Sequence, residues 1–537
     1  MKSWLRPPSA LFWAIVWGVT VRVLFIEVVL PRQAFEDNGM FFLEMARSLR
    51  DHGDPFAVGN FSNRFDRGPL AAYVISALMA VMDVVPAGRY SSAIAGCLLI
   101  PLAFFIGRRL VPNDRRVAVL ASFATASFPL LIEYSVTSYD DMLACFWFTL
   151  GIALMLQAAS DRKRALLYAL LVGMTTALGY LTRPSGLALL TVVVLVWALY
   201  AWSEHSGWRG WVLPSAVSVA VFALMSAPYV LYLSRLVGRF TFTEKAMSNL
   251  IWISEGSQRP YELAGDDLVW AIALRESSPK QYILSHLGEF VPAAVKGVQW
   301  MITDHVAHTL SLPIAAVAFY GFVNGKWDRR RVVLEVPIAL SLLSILVPLS
   351  VFGTLSNAFG RYLIPIIVPS LVWFSKGLFE LTHRAESLGT LGRGVTWSSV
   401  LSNGAVSVVA LYLVAGIAVG PGMKYGRSLD RAHWRAAQEA GDWLKANTPA
   451  NAVVCTNDNA ISFASARSSV LEPVSNVPSQ ISSYLTRYSV DYVVSEEGQP
   501  NHRSMAGLTA ELTLVYTAKN APREIRIFER HPSLASP

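Results

Sequence analysis

The feature that most constrains this chain is a series of long apolar runs, most of them near the 20 or so residues that an α-helix needs to cross a bilayer. The runs occupy residues 11–30, 91–110, 117–131, 141–158, 165–181, 187–201, 211–233, 306–323, 332–352, 362–381 and 400–419. Backbone in hydrocarbon must satisfy its own hydrogen bonds, so runs of this kind fold as helices. The expected fold class is therefore a polytopic α-helical membrane protein with about 11 transmembrane helices. Composition agrees. The chain is 53% hydrophobic and 15% charged, whereas soluble domains carry about 25% charged residues. The net charge of +8 comes mainly from Lys and Arg in short links between runs, where they orient helices. It gives no reason to expect a nucleic-acid partner. Of the three cysteines, Cys97 and Cys145 lie inside apolar runs, and with Cys455 they form neither a disulfide framework nor a metal-ligand spacing. Residues 1–6 are basic and lead into the first run without a small-residue cleavage site, so a retained first helix is expected.

Orientation follows from the basic links. If the twelfth apolar stretch, residues 69–85, does not cross, the cytoplasmic side receives Lys2, Arg6, Arg108, Arg109, Arg115, Arg116 and Arg162-Lys163-Arg164. It also receives Lys326, Arg329-Arg330-Arg331, Arg384 and Arg393. If that stretch crossed, every cluster after the first would turn outward, against the positive-inside bias. The stretch is expected to lie in the outer interface or to dip into it. The outward parts are then the loop 31–90, the turns 133–140 and 182–186, the long loop 234–305, the turn 353–361 and everything after residue 420. A loop as long as 234–305 is more often functional than a simple connector.

From about residue 421 the composition becomes that of a soluble domain. Residues 430–447 carry Trp434, Ala437, Ala440, Trp443 and Leu444 at helical spacing and end at Asn447-Thr448-Pro449. Residues 452–456, 492–495, 512–517 and 524–528 read as strands, and 477–488 as a helix. The expected organisation is a transmembrane domain over 1–420 and a small α/β domain over 421–537 on the outer side of the inner (plasma) membrane.

Ionisable groups at membrane depth cost roughly 2.5–3.5 kcal/mol on insertion scales, so they mark candidate sites. Glu36 and Asp37 follow the first run. Asp37 caps the next helix on one reading and serves as a general base on the other. Asp140 and Asp141 open the fourth run, again as caps or as a second acidic pair facing the same compartment. Close carboxylates raise each other's pKa unless a cation is shared, so a divalent metal held by Asp37, Asp140 and Asp141 is an open alternative. Arg64, Arg67, Arg183 and Arg361 lie at the same outer boundary. Each arginine alone suits headgroup snorkelling; together they suit a lipid phosphate.

The order of these groups resembles a known family. It runs from Glu36-Asp37 through Met45-Ala46-Arg47-Ser48-Leu49, Arg67-Gly68-Pro69-Leu70 and Arg89-Tyr90-Ser91-Ser92 to Tyr134 and Asp141-Met142-Leu143. Leu181-Thr182-Arg183-Pro184 and Arg361-Tyr362-Leu363-Ile364-Pro365 follow. The pattern is similar to the GT-C superfamily of polyprenyl-phosphate-sugar glycosyltransferases, in the branch of protein O-mannosyltransferases and lipid A aminoarabinose transferases. The resemblance implies an inverting sugar transfer from a polyprenyl-phosphate donor to a hydroxyl of a cell-envelope glycan, lipid or protein. It places Asp37 at the catalytic acid–base position, with Glu36 before it where many members carry an acid after it. It places Asp141, beside Asp140, at the second acidic position. Arg67 becomes a donor-phosphate contact, with Arg64, Arg183 and Arg361 as further candidates. The alternative from another class is a transporter of lipid-linked sugars, which would place its site at the midplane between repeats rather than at span ends.

Overall fold

A computed structural model describes residues 7–29, 39–58, 67–204, 209–243, 283–301, 306–352, 359–386, 390–392, 395–396, 428–470, 478–496, 511–518 and 524–531. The chain divides into two compact units. The first comprises Met1–Leu30, Arg89–Tyr229 and Ala294–Lys424; the second comprises Pro31–Gly88, Val230–Ala293 and Tyr425–Pro537.

Among the described residues, eight helices are long and apolar enough to cross a membrane: Ala10–Val28, Val84–Leu110, Asp141–Ser160, Ala165–Thr182, Pro184–Ser203, Gly210–Val237, Arg329–Leu349 and Ile364–Ala385. A ninth forms if Arg115–Ser127 and Pro129–Ser135, which meet at a 53° bend, make one broken span. The bend sits at Phe128-Pro129. Proline disfavours helical backbone at the residue before it, and Phe128 is extended there, at φ −66° and ψ 121°. Of the other expected crossings, the run 306–323 yields only the shorter helix Leu312–Val323. The run 400–419 lies outside the described residues, which carry eight or nine of the eleven expected crossings. The stretch 69–85 contributes the helix Leu70–Leu78, whose nine residues rise about 14 Å, too short to span.

The first unit is built around a continuous apolar core that includes Leu99, Phe128, Met142, Phe148, Ile152, Trp197, Ile338 and Ile367. Small residues let some helices touch backbone to backbone. We label Leu312–Val323 α1 and Ile364–Glu386 α2. A Cβ on Gly321 of α1 would stand 2.2 Å from the Trp373 carbonyl oxygen of α2, and one on Gly377 would stand 2.2 Å from the Val317 carbonyl. Close packing of this kind replaces the hydrophobic drive that lipid does not supply. Outward faces keep large apolar side chains exposed, among them Phe12, Leu166, Leu224 and Val347.

The second unit contains a five-stranded sheet. Its strands are β1 (Val453–Cys455), β2 (Ser468–Val470), β3 (Tyr492–Glu496), β4 (Leu512–Ala518) and β5 (Ile525–Arg530). Their order is β2-β1-β3-β5-β4; β1, β2 and β3 run parallel, while β5 is antiparallel to both β3 and β4. The helices Ser428–Asn447 (α3) and Pro478–Arg487 (α4) lie where the sequence places them. The helix Asn459–Ser465 (α5) and strand β2 were not expected, being short segments without a clear period. Cys455, Val470, Ile481, Leu485, Val490 and Val493 form the core under the sheet, which explains the buried cysteine.

In the same unit, Met40–His52 (α6) presents polar groups to α5. The Ser462 hydroxyl donates to Glu44 Oε1 at 2.6 Å, and Arg47 Nη1 donates to the Phe463 carbonyl at 2.8 Å while lying 4.0 Å over the Phe463 ring. Burial pulls the Arg47 pKa below its usual value, against the opposing pull of Glu44 and Asp51. The polar side of this helix is thus engaged by protein.

Candidate active site

The acidic pair Asp140-Asp141 opens the helix Asp141–Ser160, and neither residue is spent on capping. Asp140 occupies the cap position with helical backbone, at φ −77° and ψ −10°, and its side chain makes no cap hydrogen bond. Both carboxylates turn instead to Arg183, whose Nη1 donates to Asp141 Oδ1 and whose Nε lies 3.5 Å from Asp140 Oδ2. The two aspartates are almost fully buried, with 3% and 1% of their surface exposed. Desolvation at that depth is costly unless the charge is paired, and the guanidinium fork supplies the pair.

Local sequence explains how Arg183 reaches them. The helix Ala165–Thr182 stops before Pro184, and Arg183 takes the extended backbone that a following proline imposes, at φ −151° and ψ 135°. A single 3-10 turn, Pro184–Gly186, returns the chain and closes with Gly186 N–H on the Arg183 carbonyl at 2.8 Å. A Cβ on Gly186 would lie 2.3 Å from the Tyr180 nitrogen, so this turn accepts only glycine without moving backbone. Arg183 is held from behind by Tyr362, whose ring lies 4.8 Å from the guanidinium.

A second guanidinium completes the cluster. Arg361, in the turn of helix Phe359–Tyr362, is buried and donates through Nη2 to the Tyr362 hydroxyl at 3.2 Å. Its charged group lies 5.0 Å from the Tyr362 ring and 5.9 Å from the Tyr139 ring. Burial works against its charge, but Tyr362, Asp140 and Tyr139 outweigh it and hold the guanidinium above its usual pKa. Tyr139 is fixed from the other side, since the Ser92 hydroxyl donates to its carbonyl at 2.8 Å and its ring lies 5.7 Å from that of Tyr134. Among the described residues, two buried atoms of this cluster, Asp141 Oδ2 and Arg361 Nε, have no hydrogen-bond partner. One is an acceptor and the other a donor, and a buried polar atom left unpaired costs free energy that a ligand would recover.

The structure thus brings together Asp140, Asp141, Arg183 and Arg361. It adds Tyr139 and Tyr362, which the sequence reading passed over although each adjoins a candidate. Glu36, Asp37 and Arg64 lie outside the described residues. Arg67 belongs to the other compact unit, where its guanidinium lies 4.9 Å from the Phe41 ring and 5.6 Å from the Phe42 ring.

Comparisons with known proteins follow the same line. The family model described as dolichyl-phosphate-mannose-protein mannosyltransferase matches residues 66–233. The undecaprenyl phosphate-alpha-4-amino-4-deoxy-L-arabinose arabinosyl transferase of Pseudomonas paraeruginosa is 25% identical over 361 residues, 66% of this chain and 57% of that protein. The chain therefore spans little more than half the length of that curated relative. Among solved structures, ArnT from Cupriavidus metallidurans bound to undecaprenyl phosphate superposes with a TM-score of 0.54 at 15% identity, covering 98% of this chain and 99% of that one. The oligosaccharyltransferase AglB of Archaeoglobus fulgidus, solved with an inhibitory peptide and a dolichol-phosphate, superposes with a TM-score of 0.58 at 16% identity, covering 100% and 75%. These matches share the GT-C fold, and they bear out the resemblance read from the sequence.

Proposed function

We propose that this chain is a GT-C-type glycosyltransferase that moves a sugar from a polyprenyl-phosphate donor to a hydroxyl acceptor at the outer face of the membrane. The observation that carries the reading is the buried Asp140–Asp141–Arg183–Arg361 cluster, with Asp141 Oδ2 and Arg361 Nε left unpartnered. Support comes from the mannosyltransferase family match and from the lipid phosphates named with the two solved relatives. A transporter of lipid-linked sugars is not favoured, because the relatives are transferases and the charged cluster sits at helix ends.

In this reading Asp37 takes the proton from the acceptor hydroxyl, with Glu36 beside it. The oxygen then bonds to the anomeric carbon on the face opposite the phosphate, and the bond from carbon to phosphate oxygen breaks. The lipid phosphate leaves with the electron pair, and the configuration at carbon inverts. Arg361, through Nε, meets charge growing on the leaving phosphate; Arg64 and Arg67 are proposed as donor-phosphate contacts on the family resemblance alone. Arg183 has two nitrogens committed to the carboxylates, so it positions Asp140 and Asp141. Asp141 Oδ2 orients the acceptor. The same oxygen fits a divalent cation as a single ligand, while two guanidiniums already stand beside the acidic pair. When bound there, it would supply additional positive charge to the leaving phosphate.

Eight helices long and apolar enough to cross support a multi-pass membrane protein, with residues 421–537 on its outer side helping to recognise the acceptor. Mass spectrometry of cell-envelope glycans with and without the protein tests the function. Loss of one defined sugar substituent is expected. Loss of that substituent with the donor lipid trapped on the inner leaflet, rather than accumulating on the outer one, would support transport instead.

A further inference from the structure

A second cluster of ligand-type side chains lies in the sheet-containing unit, on residues that no motif in the sequence marks. His433 projects from α3, Asp458 follows β1, and Glu496 ends β3. His433 Nε2 lies 3.0 Å from Asp458 Oδ2, and Nδ1 lies 3.5 Å from Glu496 Oε1. One ligand atom from each residue can be chosen so that all three fall within 4.8 Å of one another. From this geometry we propose that His433, Asp458 and Glu496 bind a divalent first-row transition cation of the zinc type.

Three independent features support the site. The first is topological. In the order β2-β1-β3 the chain leaves β1 toward β2 on one side and returns to β3 on the other. Ligands of open α/β sheets bind outside the carboxyl ends of strands where the winding direction reverses. Asp458 and Glu496 stand at the carboxyl ends of the two strands that flank this switch point.

The second is charge. The side chains of Asp458 and Glu496 are only 16% and 14% exposed. Two shielded carboxylates converge on one imidazole. A dication with a neutral imidazole balances both.

The third is pre-organisation. The Asp458 Oδ1 atom accepts from the Ala460 backbone at 2.7 Å, and the Asp458 amide donates to the Thr456 hydroxyl at 3.1 Å. These bonds fix the carboxylate and leave Oδ2 aimed at the ring. Tetrahedral zinc with bonds of about 2.0–2.1 Å needs ligand atoms about 3.3 Å apart; the ring offers the ion one nitrogen, so Glu496, which lies against the other nitrogen, moves in from within the 4.8 Å span to complete the set. The His433 side chain is 29% exposed, which leaves an entry path and room for water as a further ligand. A site with one imidazole and two carboxylates favours zinc over calcium.

The test uses the full chain in detergent, untagged and stripped with EDTA, titrated calorimetrically with zinc chloride and separately with calcium chloride. About one zinc per chain is expected, with a rise in melting temperature that calcium does not reproduce. His433→Ala should weaken zinc binding at least tenfold and abolish the rise, while its melting temperature in EDTA matches that of the wild type. Should that variant fail to fold, Glu496→Gln keeps a hydrogen-bond acceptor and supplies the same reading. Asp141→Asn, which touches the transferase cluster, should bind zinc as the wild type does, so the two sites are separated. A wild-type chain without micromolar zinc affinity, or variants that bind equally, would overturn the site.

Discussion

Arg183 and Asp141 form a buried ion pair, the Nη1 atom of one donating to the Oδ1 atom of the other, and the same guanidinium reaches Asp140 through Nε at 3.5 Å. Lysine at position 183 would keep the charge and lose the planar fork. Arg183→Lys should lower transfer by roughly ten- to a hundredfold, the worth of one charged hydrogen bond of about 1.5–3 kcal/mol. The check is a comparison of rates with the folded fraction held equal. Unchanged transfer would mean that Asp140 and Asp141 do not need this partner.

A second buried network should govern stability rather than chemistry. Glu335 Oε1 accepts from Arg331 Nε at 2.9 Å and from Lys376 Nζ at 2.5 Å, with all three side chains at most 10% exposed. Glu335→Leu removes the carboxylate both cations share, leaving Lys376 with Glu380 at 3.9 Å and Arg331 with the Phe322 carbonyl, and should cost up to about 3–5 kcal/mol. Replacing Lys376 with Met in the same chain should restore part of that loss. Thermal unfolding in detergent of the single and double variants decides it.

The contact between Gly321 and Gly377 leaves no room for a side chain. Gly321→Leu should destabilise by at least about 1–3 kcal/mol, the usual range for overpacking. A melting temperature equal to the wild type would show that the two helices separate freely.

Asp114 caps the helix Arg115–Ser127 through Arg116 N–H at 2.9 Å and pairs with the Arg116 side chain at 3.0 Å. Burial raises its pKa, but the bonds from Arg116 outweigh that and hold it below the usual 3.8. A depressed carboxylate stabilises the fold above its unfolded value, and the contribution disappears as pH falls through the folded value. Melting temperature should therefore drop below about pH 4 by the worth of one cap, roughly 1 kcal/mol. Asp114→Asn should flatten that part of the profile.

Orientation is testable with single cysteines at positions 53 and 499 in a background without the native three. Both should react with an impermeant reagent applied from outside. Labelling from opposite sides would break the topology that puts the acidic pairs in one compartment.

Sequence periodicity reveals the long helices because lipid imposes one length and one chemistry on every crossing. It also reveals Asp140, Asp141, Arg183 and Arg361, since a charge at the end of an apolar run stands out. It does not reveal what those charges touch. Asp140 and Asp141 read as caps or as a site, and only Arg183, brought by the Pro184 turn from the end of another helix, separates the readings. Arg22, Glu335 and Lys376 are charges inside apolar runs, and although each has a partner one helical turn away, no spacing announces the distant ones, Ala126 for Arg22 and the Glu335–Lys376 pair. Arg22, for example, donates to the Gly18 and Ala126 carbonyls at 3.0 and 3.2 Å. The triad of His433, Asp458 and Glu496 is invisible for the same reason, β1 standing between the first two members and α5, β2 and α4 between the last two.

The most direct measurement is release of polyprenyl phosphate by purified protein supplied with lipid-linked sugars extracted from the membrane, with and without the extracted acceptor glycolipids. Wild-type protein should release polyprenyl phosphate in step with sugar appearing on acceptor, and Asp141→Asn should do so about a hundredfold or more slowly while still binding the donor. Donor turnover by Asp141→Asn at the wild-type rate, or none by the wild type from any polyprenyl-phosphate sugar in the extract, would contradict the account.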